Sequence, residues 1–270
     1  MLTRLLALGH LVLIVFHVRL ASCHPLSAGP RYERRGVTTS HRYRTREIAG
    51  ITVIDTPLVR SAEAFAFRHS SSTVYNHVMR SWLFGTLMVK NNVTLQRTID
   101  LEIQAVSALL HDLGWDQTPS SPIISPDRRF EVDGAIAARA FLHGHPHGRK
   151  WDEHRVQLVW DAIALHTERA FSYFKEPAVR LVSQGIGLDF ETAEIAKVAF
   201  GIPVSEYQAV VAEFPKEGFK QALNETFVWL CGEKPGSTYN TWMQPWGDRY
   251  VEGYNSSAHL RIGIIDRNLP

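Results

Sequence analysis

Apolar residues recur with helical spacing over most of the chain beyond residue 55. The stretch from Thr56 to His69 predicts a first helix. Ser70, Ser71 and Ser72 then offer hydroxyls to cap a second, from about Thr73 to Lys90. On that second helix Val74, Val78 and Trp82 share one face at i, i+4 and i+8, the spacing of a core-facing stripe. His77, Ser81 and Phe84 lie on the neighbouring stripe, which places His77 at the edge of the buried face. A third helix runs from Ile99 to Leu113, with Val106, Leu109, Leu110 and Leu113 inward and Gly114 ending it. Glu131 to His143, Asp152 to Thr167, Pro177 to Gly187, Glu191 to Phe200, Ser205 to Phe214 and Gly218 to Leu230 complete the helical set. Neither a period-two alternation nor an internal repeat is evident. The pattern predicts an all-α fold, a single-domain helical bundle over residues 51–250 with a C-terminal tail over 251–270.

Two interruptions matter. Asp116 to Arg129 carries Pro119, Pro122 and Pro126 and cannot be a regular helix. A loop of this length is expected to be functional or mobile, and it reads as the lip or lid of a site. From Gly232 onward the chain is rich in Gly, Pro and aromatic residues, among them Tyr239, Trp242, Trp246 and Tyr250.

The start of the chain reads differently. Met1 to Arg4 is a short positive start, Leu5 to Val18 is apolar but for His10 and His17, and Ala21-Ser22-Cys23 is a run of small residues. This predicts a signal peptide over 1–23, short for a membrane span, with an uncleaved anchor as the alternative. Residues 24–50 lack periodic apolar positions and read as a flexible arm, basic at Arg31, Arg34, Arg35, Arg42 and Arg44. The sequons at Asn92, Asn224 and Asn255 would be glycosylation acceptors in a secretory or secreted protein.

Composition narrows the picture. With 45% hydrophobic residues the chain can bury a sizeable core, and a net charge of +2 points to neither nucleic acid nor an anionic membrane as partner. No stable membrane insertion is expected once the leader is removed, and a homo-oligomer stays open. Cys231 would be left alone after leader removal and reads as a small buried apolar residue.

The candidate chemistry lies in Leu109-Leu110-His111-Asp112-Leu113-Gly114. Adjacent His and Asp at the end of an apolar helix make sense if both face one divalent cation. Neighbours on a helix diverge by about 100°, so they share an ion only if it sits off the helix end. His77 is the third candidate ligand. The run His143-Gly144-His145-Pro146-His147 reads as a surface loop instead. Glu131 could orient a water or simply favour a helix N-terminus. Trp82 and Phe84 read as core, and either could wall a substrate pocket.

Val74-Tyr75-Asn76-His77-Val78-Met79-Arg80-Ser81-Trp82 and Ala108-Leu109-Leu110-His111-Asp112-Leu113-Gly114 resemble two blocks of the HD superfamily of helical metalloenzymes, in its fungal cyanamide-hydratase branch. Asp55 to Val59, Glu63 to Ala66, Phe130 to Ala135 and Ile163-Ala164-Leu165-His166-Thr167-Glu168 continue the likeness, which covers roughly 52–250. The resemblance implies a fourth ligand on a late helix. Asp189, in Val182 to Asp189, matches best, with Asp161 as its rival. It also implies a mononuclear site of His77, His111, Asp112 and Asp189 holding Zn2+, or alternatively Fe2+ or Mn2+. His166, with Asp112, would handle substrate or proton. The implied activity is attack of metal-bound hydroxide on a small nitrile-like substrate, cyanamide to urea or a related nitrile or isocyanide, in a tight and partly apolar pocket. Phosphohydrolysis is the alternative, using Arg80, Arg128, Arg129 and Lys175 as phosphate-holding cations. A secreted metal-binding protein without catalysis is the third reading.

Overall fold

The computed structural model describes residues 43–270. The leader expected at 1–23 and the arm as far as residue 42 lie outside the described residues. Two short strands open the described part, β1 (Thr45–Ile48) and β2 (Ile51–Ile54). They pair antiparallel, Thr45 opposite Ile54 and Ile48 opposite Ile51. Ala49 and Gly50 both take positive φ, 52° and 71°, which is the twist a two-residue hairpin turn needs. This corrects two expectations: the arm does not extend to residue 50, and a period-two element exists. Ile51 and Val53 are buried while Thr52 is exposed. Four residues are too few for that alternation to stand out.

The other regular elements of the described chain are helices. Helix α1 (Pro57–Arg68) starts on Thr56, whose side chain accepts from the Val59 N–H, with Pro57 at the first position. Helix α2 (Ser72–Lys90) starts on Ser71, which accepts from the Val74 N–H. Then follow α3 (Val93–Thr98), capped by Asn92, and α4 (Leu101–Leu110), capped by Asp100. Beyond a loop come α5 (Phe130–Gly144) and α6 (Glu153–Ala164), the latter capped by Asp152. The short α7 (Arg169–Ser172) leads to α8 (Pro177–Leu188), α9 (Ala193–Phe200) and α10 (Val204–Glu213). The last are α11 (Phe219–Glu233), α12 (Gln244–Tyr250) and α13 (Arg261–Asn268). The fold is all-α with one small hairpin. None of the described helices is long and apolar enough to cross a membrane.

Helix α2 is the axis of the core. It packs on α8, α4, α1, α10 and α11, and thirteen of its residues, from Val74 to Val89, are buried. The predicted stripe Val74, Val78 and Trp82 is buried, and so is His77. A close approach lets α8 reach it: a Cβ on Gly185 would stand 2.9 Å from the Ser81 carbonyl oxygen and 3.1 Å from the Gly85 nitrogen. Cys231 is fully buried, and burial pushes its thiol pKa up.

A second close approach sets the end of α4. The helix stops at Leu110, three residues before the predicted Leu113, and a 3-10 turn covers Leu113–Trp115. The start of α5 lies against that turn so tightly that a Cβ on Gly114 would fall 2.0 Å from the Phe130 carbonyl oxygen. Backbone cannot yield as a flexible side chain does. Gly114→Ala is therefore expected to destabilise by roughly 1–3 kcal/mol, read from the urea midpoint. Gly144→Ala, whose Cβ would meet nothing within 4 Å, is the control and should stay within about 0.5 kcal/mol of the parent. Equal midpoints would contradict this packing.

Candidate metal centre

The break after Leu110 is what brings adjacent residues to one point. His111 still has helical backbone angles, whereas Asp112 turns to φ −102° and ψ 21°. The two side chains then converge instead of diverging as they would along a helix. His77 reaches the same point from α2. Its Nε2 lies 3.2 Å from His111 Nε2 and 3.5 Å from Asp112 Oδ2, and His111 Nε2 is 3.0 Å from Asp112 Oδ2. All three side chains are buried.

The remaining nitrogens show where the protons are. His77 Nδ1 is 2.6 Å from Asp189 Oδ2, and His111 Nδ1 is 2.8 Å from the Ala108 carbonyl oxygen. Carboxylate and carbonyl oxygens accept, so each Nδ1 donates. A neutral ring then turns an Nε2 lone pair inward. Burial lowers the His77 pKa, which favours that neutral form. The two Nε2 atoms thus meet at 3.2 Å beside a carboxylate whose two oxygens have no hydrogen-bond partner. Burial opposes charge on Asp112, yet the imidazoles, His111 foremost, hold its carboxyl below the ordinary range. His77, His111 and Asp112 can hold a metal ion, and this donor set suits a divalent cation.

Asp189, the expected fourth ligand, stands behind His77. Its Oδ2 takes the Nδ1 proton of His77, and Arg80 grips the same carboxylate, Nε to Oδ1 at 2.6 Å and Nη2 to Oδ2 at 2.8 Å. Lys216 bonds the Asp189 backbone carbonyl. Burial would raise the Asp189 pKa, but His77 and Arg80 outweigh it and hold it well below the usual range. The expectation of direct ligation is corrected: here Asp189 fixes the tautomer and tilt of a ligand. Arg80 sits one turn after His77 on α2, which is why one carboxylate meets both. Asp161, the rival, pairs with Lys175 at 2.8 Å.

His166 follows the end of α6. Its Nδ1 donates to the Ile163 carbonyl at 2.7 Å, and its Nε2 lies 3.6 Å from Asp112 Oδ1. Burial, then His111, lower its pKa to about 4. Glu131 is fully buried and does not line the cavity that opens on the centre. It accepts from Arg129 and from Thr167 Oγ1, the latter at 2.6 Å. Burial would raise its pKa, and Arg129 holds it down. It ties the residue next to His166 to the start of α5, a role neither predicted use had described.

A cavity of about 410 Å3 opens on the centre. His77, Asp112 and His166 form its floor, and Trp115, Ile186, Phe190, Leu223, Phe227, Trp242 and Trp246 its walls. Pockets for drug-sized ligands run from about 300 Å3, so this one is apolar as expected but not tight. Trp82 is fully buried and does not line it, which corrects its assignment to substrate binding. The predicted lip, Asp116 to Arg129, lines none of it either. Asp116 bonds Ser121 and Thr118, and Ser125 bonds Asp133, so the loop folds back. Gln117 and Thr118 border a separate polar cavity. The walls come instead from α8, α11 and the aromatic stretch around Trp242. Asn92 and Asn255 are exposed. Asn224 is a half-buried residue within α11, lines the cavity and accepts from Trp246 Nε1 at 2.9 Å, a poor place for a glycan. No family model matches the chain, and no curated protein matches it in sequence.

Protein prepared without added metal is expected to carry about one divalent ion per chain by elemental analysis. His111→Ala should abolish this, and Asp189→Asn should weaken affinity about 10- to 100-fold. An empty parent protein, or a full complement in His111→Ala, would contradict the assignment.

The depressed His166 pKa has a stability consequence. Above about pH 6.5 the ring is neutral in folded and unfolded chains alike; between about 6.5 and 4 only the unfolded chain takes the proton. Stability conferred by the buried neutral ring is thus lost as pH falls through that window. In urea titrations with chelator present, the parent should lose up to about 3 kcal/mol more than His166→Gln between those limits. Parallel pH profiles would rule this out.

Proposed function

We propose that the protein is a metal-dependent enzyme that adds water to a carbon–nitrogen multiple bond of a nitrile-like group, as the resemblance to the cyanamide-hydratase branch of the HD superfamily suggests. The observation that carries this reading is the convergence of His77, His111 and Asp112 at the floor of an open cavity, with His166 beside them. Two imidazoles and a carboxylate favour zinc, and iron or manganese would accept the same donors. A divalent ion in such a site lowers the pKa of a water it holds from about 15.7 toward 7.

The residues supply the rest. Hydration adds oxygen to carbon and hydrogen to nitrogen, so a group must carry a proton between them. His166 is suited to this: its Nδ1 is committed to a carbonyl, its Nε2 carries a lone pair, and it faces Asp112 at 3.6 Å. Asp189 and Arg80 keep His77 in the tautomer that presents Nε2. Glu131 and Thr167 hold the His166 segment in place. The indole and phenyl walls keep bulk water away from the reacting atoms. The leader pattern adds the proposal that the enzyme works in the secretory route.

Phosphohydrolysis is less well supported. Each cation expected to hold phosphate is engaged elsewhere: Arg80 with Asp189, Arg128 with Asp133, Arg129 with Glu131 and Glu168, Lys175 with Asp161. The open cavity argues against a purely structural ion.

Metal-loaded protein is expected to convert cyanamide or a simple nitrile to urea or the amide. His166→Asn should lower kcat about 10²- to 10⁴-fold while metal content is retained. Absence of product from every nitrile tried, with metal bound, would end this reading.

A further inference from the structure

Hydration of a bare nitrile needs little room, yet the cavity is roomy and built of rings. Phe227 meets Trp242 edge-on at 4.8 Å and Trp246 at 5.0 Å, and Trp115 meets Phe227 at 5.6 Å. The polar edges of both later indoles are engaged, Trp246 Nε1 with Asn224 at 2.9 Å and Trp242 Nε1 with Glu131 at 3.4 Å. Rings interlocked edge to face and pinned at their nitrogens keep their spacing, so the space between them suits a flat apolar body.

The charges lining this space are unbalanced. Asp112 is the acid among the lining residues, and it belongs to the metal floor. Two cations, Arg169 and Lys220, also line the cavity, both on exposed residues. Neither has a carboxylate within ion-pair distance among the described residues, whereas Arg129 and Lys175 close by are paired. The place of the Arg169 guanidinium is prepared. It lies over Gly187, where a Cβ would come within 2.8 Å of Nη2, so the absence of a side chain on α8 leaves room for it. An unpaired guanidinium offers a planar fork of donors that matches a carboxylate.

We propose that the cavity takes an organic anion: a flat apolar or aromatic body with the reacting group toward His77, Asp112 and His166 and an anionic group, a carboxylate in the first instance, toward Arg169 and Lys220. This rests on the hydratase reading for the reacting group, but the binding claim is tested apart from it.

The probes are cyanobenzoate, cyanophenylacetate and cyanophenylpropionate, each beside its neutral carboxamide, with phenyl phosphate and cyanamide for comparison. Binding to the metal-loaded full chain is measured by calorimetry and by quenching of the cavity tryptophans, and metal content and cyanamide hydration are recorded on the same preparation. At least one acid should bind about tenfold more tightly than its amide. The preference should vanish in Arg169→Ala, weaken in Lys220→Ala and weaken in Gly187→Ala, which keeps the charge but displaces the guanidinium. Phenyl phosphate held through Arg169 would support the anion site with a phosphoryl group as its ligand. Acids and amides binding alike, a preference undiminished in the Arg169→Ala/Lys220→Ala variant, or no binding by any aromatic probe would overturn the proposal. Retained metal and cyanamide hydration would then show that the hydratase reading survives. Conversely, Arg169-dependent binding without hydration of any nitrile would leave the anion site standing and remove the hydratase.

Discussion

Two imidazole nitrogens facing each other at 3.2 Å beside a carboxylate with no hydrogen-bond partner form an arrangement that can hold a positive charge at its centre. A buried carboxylate without a partner costs several kcal/mol, and a protonated imidazole in the same place pays its own desolvation. A shared cation relieves both at once. Much of the surrounding structure serves this point. Arg80 and Asp189 fix one ring, the Ala108 carbonyl fixes the second, and the Ile163 carbonyl fixes the third ring beside them.

The backbone is arranged to the same end. Gly114 lets α5 lie against the turn that follows Asp112, and Gly185 lets α8 lie against the helix bearing His77. One contact bends the chain so that neighbouring side chains converge; the other brings Asp189, at the end of α8, within reach of His77 and Arg80. Stability and the geometry of the candidate site are therefore coupled through packing. A methyl group added at either glycine moves backbone that also aims a ligand.

Much of this was legible in the sequence, for physical reasons. Helix starts carry their own chemistry, as with Thr56, Ser71 and Asp152, and the apolar stripe of α2 marks its buried face. His111 and Asp112 announce themselves because adjacent polar residues at the end of an apolar helix need a shared purpose. Other features depend on tertiary contacts. That Asp189 supports His77 rather than binding beside it follows from Arg80, one turn along α2, and no linear pattern shows that meeting. The cavity walls come from α11 and the segment around Trp242, where aromatic residues carry no motif. The lip expected in the proline-rich loop is absent from the cavity because Asp116 and Asp133 pull that loop back with side-chain hydrogen bonds. The hairpin escaped notice because four-residue strands barely alternate. Asn224 shows the opposite case, a local triplet set in a helix and hydrogen-bonded to Trp246, surroundings that the triplet alone does not reveal.

The central claim is that a divalent ion sits between His77 Nε2, His111 Nε2 and Asp112. Anomalous diffraction at the absorption edge of the metal found in protein purified without supplementation tests this directly. The account predicts one strong peak within bonding distance of those three side chains, with Asp189 outside the coordination shell and bonded to His77 Nδ1. Absence of a peak there, with the two histidine nitrogens bridged by a proton or a water, would contradict it.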